Sequence, residues 1–305
     1  MKTSSVESQA VIARAGTVAR DCLAPGQRGK VLAVFSKTIY LLTDDDELSW
    51  MATDDSSMHR RCAVVSSPLP GPSAGSLFRV EDRCLAIDPG FIFDIQNLSL
   101  WSAPRVVPGH VLGIIELPAR VHALFRNLDP SQAKGFGSFI PLILSLSQNE
   151  SIGPASESSD PVLRFAQPLV LDMARACLES QPSRLSQIAD QLIGLGAGLT
   201  PSGDDFLGGF LFAVNQLQAA YPGFGFPNSM IPIESFRSRT HSISFTLLKD
   251  HVNGHSIEPL HRILNGIISD ESFESIHPFI LRLTQIGHST GWDLLAGLLT
   301  GLLIA

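Results

Sequence analysis

The sequence predicts an α+β protein, with a β-rich segment at the N-terminal end and helices over the remainder. Three observations lead there. Between Lys30 and Ser102, short apolar runs alternate with turn-rich breaks, the texture of strands. After Pro104 the apolar residues recur at helical spacing over longer stretches. Strand-like and helix-like segments stand in separate blocks, which argues against alternating βαβ units. The expected division is a β-rich part at 1–105 and an α-helical part at 106–305.

The expected strands are 31–35, 38–42, 48–52, 62–66, 77–80, 84–87 and 91–95, forming an antiparallel sheet or small barrel. Asp44-Asp45-Asp46-Glu47 and Asp54-Asp55 read as solvated hairpin loops rather than metal ligands. The helical pattern then predicts helices over 111–127, 136–148, 162–180, 184–193, 204–220, 233–250, 257–268, 273–286 and 290–303. A Ser-, Gly- and Pro-rich stretch at 148–160 reads as an internal flexible loop.

Composition narrows the function classes. The chain has 305 residues, 44% of them hydrophobic and 17% charged, so it can bury a large core. A net charge of −7 without a basic stripe speaks against nucleic-acid binding. Low charge suits an oligomer or a partner surface. Cys22, Cys62, Cys84 and Cys177 include no C-x-x-C pair and read as reduced thiols of a cytoplasmic protein. Residues 1–10 lack the apolar centre of a signal peptide, and the apolar tail from Leu294 is too short to span a bilayer. No membrane association is expected.

The most informative stretch is Gly194-Leu-Gly-Ala-Gly-Leu-Thr-Pro-Ser-Gly-Asp-Asp205. Its glycines permit backbone conformations closed to other residues. Ser202-x-x-Asp205 then reads as a capping box opening an apolar helix. A loop that delivers amides to a helix N-terminus suits an anion. The pattern recurs: Thr290 lies 88 residues after Ser202, and the same offset pairs Gly291 with Gly203, Asp293 with Asp205 and Gly297 with Gly209. Small residues four apart, Gly209 with Ala213 and Gly297 with Gly301, allow two helices to approach closely. The expectation is a pseudo-symmetric helix pair whose N-termini converge on one polar site.

Within that site the contacts expected to hold a small anionic substrate are Gly196, Gly198, Thr200, Ser202, Gly203 and Asp205, the last also serving as cap. The second copy adds Ser289, Thr290 and Asp293. Asp204 is free of the cap and points away from Asp205, so it is the candidate proton acceptor, together with His288 beside the second cap. Arg239, Thr240 and Ser244 open another helix with a guanidinium fork and hydroxyls suited to phosphate or carboxylate. The loop is no Walker A, because no Gly-Lys follows, and the helical residues before it exclude a dinucleotide fingerprint. His251-x-x-x-His255 with His261 has Gly254 inside the spacing and no Glu after His251, so no metal site is expected. No cofactor is expected either.

The loop from Gly194 to Leu207, then Arg239-Thr240 with Ser244, then Gly287-His-Ser-Thr-Gly-Trp-Asp293 resembles the AllH family, a subunit of the oxamate carbamoyltransferase of allantoin breakdown. Gly71-Pro72 fits the same resemblance, and Ala197 departs from it where the family usually has Pro. The resemblance implies carbamoyl transfer between phosphate and the amide nitrogen of oxamate, alongside other carbamoyltransferase subunits. Carbamoyl phosphate and oxamate-like acids are small anions, which the residues above would suit. Ser238-Arg239-Thr240 is only a fragment of the Ser-Thr-Arg-Thr loop of the well-known transcarbamoylases, so a different fold and mechanism are expected.

Overall fold

A computed structural model describes residues 10–55, 58–104, 111–126, 128–148, 158–225 and 231–304. The chain divides into two compact units, 1–103 and 104–305. The first is β-rich and the second helical, the α+β class expected.

The first unit is a closed sheet. Its strands are β1 (Ala10–Gly16), β2 (Arg28–Val34), β3 (Thr38–Thr43), β4 (Leu48–Ala52), β5 (Cys62–Val65), β6 (Leu77–Val80), β7 (Cys84–Ile87), β8 (Phe91–Asp94) and β9 (Ser99–Trp101). The order β5-β4-β3-β2-β6-β7-β8-β1 closes on itself because β1 also pairs with β5. One edge of β1 is antiparallel to β5; the other is shared by β8 and β9, both parallel to it. Closure satisfies edges that an open sheet would leave bare. Alternation sends Val31, Ile39, Leu41, Phe78, Val80 and Leu85 inward. The seven expected strands are all present. Of the two forms expected, antiparallel sheet or small barrel, the barrel is the one that forms, with mixed strand directions: the parallel pairings involve β1 and β9, which lay outside the predicted strands, and β4 with β5. A short helix, α1 (Thr17–Cys22), follows β1. The four cysteines are free, and burial pushes the Cys62 thiol to about 12, leaving it protonated and inert.

The second unit is built from α2 (Leu117–Phe125), α3 (Ile140–Ser147), α4 (Pro161–Leu178), α5 (Pro182–Leu192), α6 (Ser202–Ala220), α7 (Ser242–Val252), α8 (Glu258–Ile268), α9 (Phe273–Thr284) and α10 (Thr290–Gly301). Helices α4, α5, α8 and α9 are amphipathic and cover the core. Helices α6 and α10 are apolar nearly all round and lie buried at the centre. They pack on each other with reciprocal contacts: a Cβ on Gly209 would overlap the carbonyl of Leu294, and one on Gly297 would overlap the carbonyl of Phe206. Those two pairs are related by the same 88-residue offset, so the approach is pseudo-twofold.

Three expected helices are interrupted; the one predicted over 111–127 begins as a 3-10 turn at Ile114–Glu116 before α2. The helix predicted over 233–250 is a 3-10 turn at Ile233–Phe236 followed by α7. His241 starts α7 as its cap, its Nδ1 accepting from Ile243 N–H at 3.2 Å. The helix predicted from residue 136 opens with a 3-10 turn, Gly135–Phe139, before α3. The expected loop at 148–160 falls mostly outside the described residues. Among the described residues no helix is long and apolar enough to cross a membrane.

Candidate functional site

The starts of α6 and α10 meet. Thr200 Oγ1 stands 3.3 Å from Thr290 Oγ1, and Ser202 Oγ stands 3.4 Å from Ser289 Oγ. The expected capping boxes are absent. The cap of α6 is Pro201, whose carbonyl accepts from the amides of Asp204 and Asp205 at 2.9 and 3.0 Å. That of α10 is Ser289, which makes no side-chain cap bond. The reason is competition: the hydroxyls of Ser202 and Thr290 face the opposite helix instead of their own backbone.

The loop before α6 turns on left-handed glycines, with φ of +74° at Gly194, +120° at Gly196 and +96° at Gly198. Leu195 closes it by accepting from the Gly203 amide at 2.9 Å. No backbone–backbone hydrogen bond engages the amides of residues 196–200 among the described residues.

Asp204 and Asp205 exchange the parts expected of them. Asp204 is 1% exposed and fully engaged: Oδ1 accepts from Gly194 N–H at 2.6 Å, and Oδ2 accepts from the hydroxyls of Ser244 at 2.6 Å and Thr240. It ties the glycine loop to the start of α7. Burial raises its carboxyl, and the Ser244, Thr240 and Gly194 donors pull it back down. Thr240 and Ser244, expected on an anion, are spent on this carboxylate. Asp205, expected to serve the cap, instead faces the other helix.

Asp205 and Asp293 form the centre of the site. Asp205 is 5% exposed, Asp293 is fully buried, and Oδ2 of each has no hydrogen-bond partner. Burial holds Asp205 well above the usual carboxylate range, and the neighbouring Asp293 charge adds to this. The hydroxyls of Thr290 and Thr200 act in the opposite sense. Burial likewise lifts Asp293 to about 6, against donation from Phe136 N–H and the hydroxyls of Ser289 and Ser202. Each carboxyl thus has one hydroxyl near its own helix start and one from the opposite helix.

The Phe136 amide meets Asp293 Oδ1 at 2.6 Å, and Gly135 sits so close that a Cβ would overlap the same oxygen. These residues escaped sequence reasoning. The Gly-Phe-Gly at 135–137, two glycines just before an apolar helix, was the signal available.

Arg239 is committed to α5, where its guanidinium pairs with the Asp190 carboxylate and donates to the Asp190 carbonyl. His288 is exposed in the turn before α10. His251 and His261 share Ser256: its hydroxyl lies 3.2 Å from His251 Nε2, and its amide donates to His261 Nε2 at 3.2 Å. Burial lowers them to about 4 and about 3, so both are neutral.

No curated protein and no solved structure is found to match the chain. The family model described as oxamate carbamoyltransferase subunit AllH matches residues 192–302, and over that stretch, which carries both helix starts, the chain is similar to that family.

Proposed function

We propose that this chain is a subunit of a carbamoyltransferase and holds a small anion of the carbamoyl phosphate or oxamate type where α6 and α10 begin. One observation carries the reading: two helix N-termini, far apart in sequence, converge on a buried polar centre beside a loop whose amides are left unengaged. Helix starts and loose amides favour phosphate or carboxylate oxygens. The matched family supplies the reaction class.

In the transfer, the amide nitrogen of the acceptor forms a bond to the carbamoyl carbon, the carbon–oxygen bond to phosphate breaks, and inorganic phosphate leaves. The amide nitrogen must lose a proton, because it is a weak nucleophile. In this reading His288, exposed in the turn before α10, takes that proton, and the amides of residues 196–200 hold the anion. Asp205 and Asp293 orient the reacting group. Asp204 and Arg239 are supports, not reactants. Partner subunits of the same transferase, a place in purine nitrogen catabolism and a cytoplasmic setting are parts of the proposal.

The test is carbamoyl phosphate-dependent formation of carbamoylated oxamate, measured for the chain alone and with its partner subunits. His288→Ala is expected to lower turnover by ~10²-fold or more while calorimetry still shows phosphate or oxamate binding. Absence of heat with phosphate, oxamate and carbamoyl phosphate, alone and in the assembled complex, would defeat the proposal.

A further inference from the structure

We propose that the buried polar centre at the starts of α6 and α10 binds a hard divalent cation of the magnesium class, with Asp205 and Asp293 as its charged ligands. Two buried side chains carry the argument. Asp205 is 5% exposed and Asp293 0%, and both leave Oδ2 buried without a hydrogen-bond partner. Buried carboxylate oxygens are ordinarily satisfied, so two orphans in one place require an explanation.

The surroundings identify the kind of ligand. The hydroxyls there come in two pairs, Thr200 with Thr290 at 3.3 Å and Ser202 with Ser289 at 3.4 Å, and the Asp204 carboxylate lies close enough to act on Asp205. The first pair stands beside Asp205 and the second beside Asp293. Among the described residues no group of three or more His, Cys, Asp or Glu could enclose a metal. That composition does not suit zinc, which favours imidazole and thiolate. It does suit magnesium, which binds through one or two carboxylates, accepts a Ser or Thr hydroxyl, and keeps waters or takes substrate oxygens for the rest of its shell.

The pseudo-symmetry supplies a second reason. Each carboxyl is accompanied by a hydroxyl from the opposite helix, so the donors come in equivalent pairs about the axis relating α6 to α10. A single ion held by both carboxyls would balance their two charges with its own. A phosphate or carboxylate arriving at the loop amides would find open coordination positions. The cation does not depend on that anion, so its test is separate from the transfer assay.

The test is titration of the full chain with Mn2+ followed by electron paramagnetic resonance, with Mg2+ as competitor and no substrate present. One equivalent should bind and be displaced by Mg2+. Asp205→Asn and Asp293→Asn should each weaken Mn2+ by ~10–100-fold or more. Asp190→Asn, which removes only the charge opposite Arg239 and leaves the bond to the Asp190 carbonyl, should leave it unchanged. Should the Asn variants fail to fold, Ser202→Ala and Thr290→Val carry the test, with a smaller weakening expected in each. No Mn2+ binding to the folded wild-type chain overturns the proposal, as does binding that both Asn variants retain. A single proton shared by the two carboxyls would instead appear as an infrared band of a protonated carboxyl near pH 7, insensitive to Mg2+ and lost in Asp293→Asn; that result also overturns it.

Discussion

The two halves of the pseudo-repeat agree where the helices touch and differ where each meets its own neighbours. Gly209 and Gly297 occupy equivalent positions and serve one purpose, letting each backbone lie against the other. Asp205 and Asp293 are likewise equivalent, both buried and both with an orphan oxygen. The residue just before each has diverged. In α6 it is Asp204, which fastens the glycine loop and α7 through three donors. In α10 it is Trp292, which is 5% exposed and packs against Gly137. Position 208 is Gly, with the His251 ring seated over it, while its counterpart is Ala296. Packing and the polar centre thus keep the repeat, and the positions that anchor different surroundings do not.

The largest expected effect comes from breaking the shared contact. Gly209→Ala and Gly297→Ala each drive a methyl into a helix backbone that cannot shift cheaply. Each should cost about 3 kcal/mol by urea denaturation. Because the contacts are reciprocal, the two losses should be similar; one near zero beside one that is large would break the symmetry argument.

A smaller effect separates the two adjacent aspartates. Asp204→Ala strands the Gly194, Thr240 and Ser244 donors and should cost about 2–3 kcal/mol. Asp205→Asn or Asp293→Asn removes an unpaired buried charge and should leave the metal-free protein as stable as before or more so. Equal destabilisation by Asp204→Ala and Asp205→Asn would show that the two carboxyls share one structural role.

The gentlest test uses pH and the α7 imidazole, His251, that is seated over Gly208 of α6 and has no counterpart at Ala296 of α10. Burial keeps His251 and His261 neutral when folded, so the unfolded chain protonates first, near 6.5. Stability therefore falls as pH drops from about 6.5 toward about 4 for His251 and about 3 for His261. Each histidine contributes at most about 1.4 kcal/mol per pH unit. Denaturant midpoints at pH 7, 6 and 5 measure the slope, and His251→Gln should reduce it by about half.

Much of this was legible in the chain. Seven strands, the switch to helices and the doubled motif follow from local patterns, because turn residues and apolar periodicity act over a few neighbours. The pairing of Gly209 with Gly297 could be expected too, since a stripe of small residues has little use except close approach. The parts that failed were choices between partners. Ser202 could cap its own helix or face across to Ser289, and the sequence shows only the first option. Which of Asp204 and Asp205 would stay unbonded depended on where Gly194, Thr240 and Ser244 arrived. Arg239 offered a fork for an anion, and Asp190 took it.

By itself the sequence determined the α+β class, the helix pair and the polar residues that two distant segments would present to each other. Tertiary structure alone decided the closure of the barrel through β1, the insertion of Gly135 and Phe136 against Asp293, and which buried oxygens were left without donors. The physical reason is range. Propensity and periodicity are fixed by neighbours along the chain, whereas hydrogen-bond satisfaction in a dry interior depends on which distant donor reaches an oxygen first.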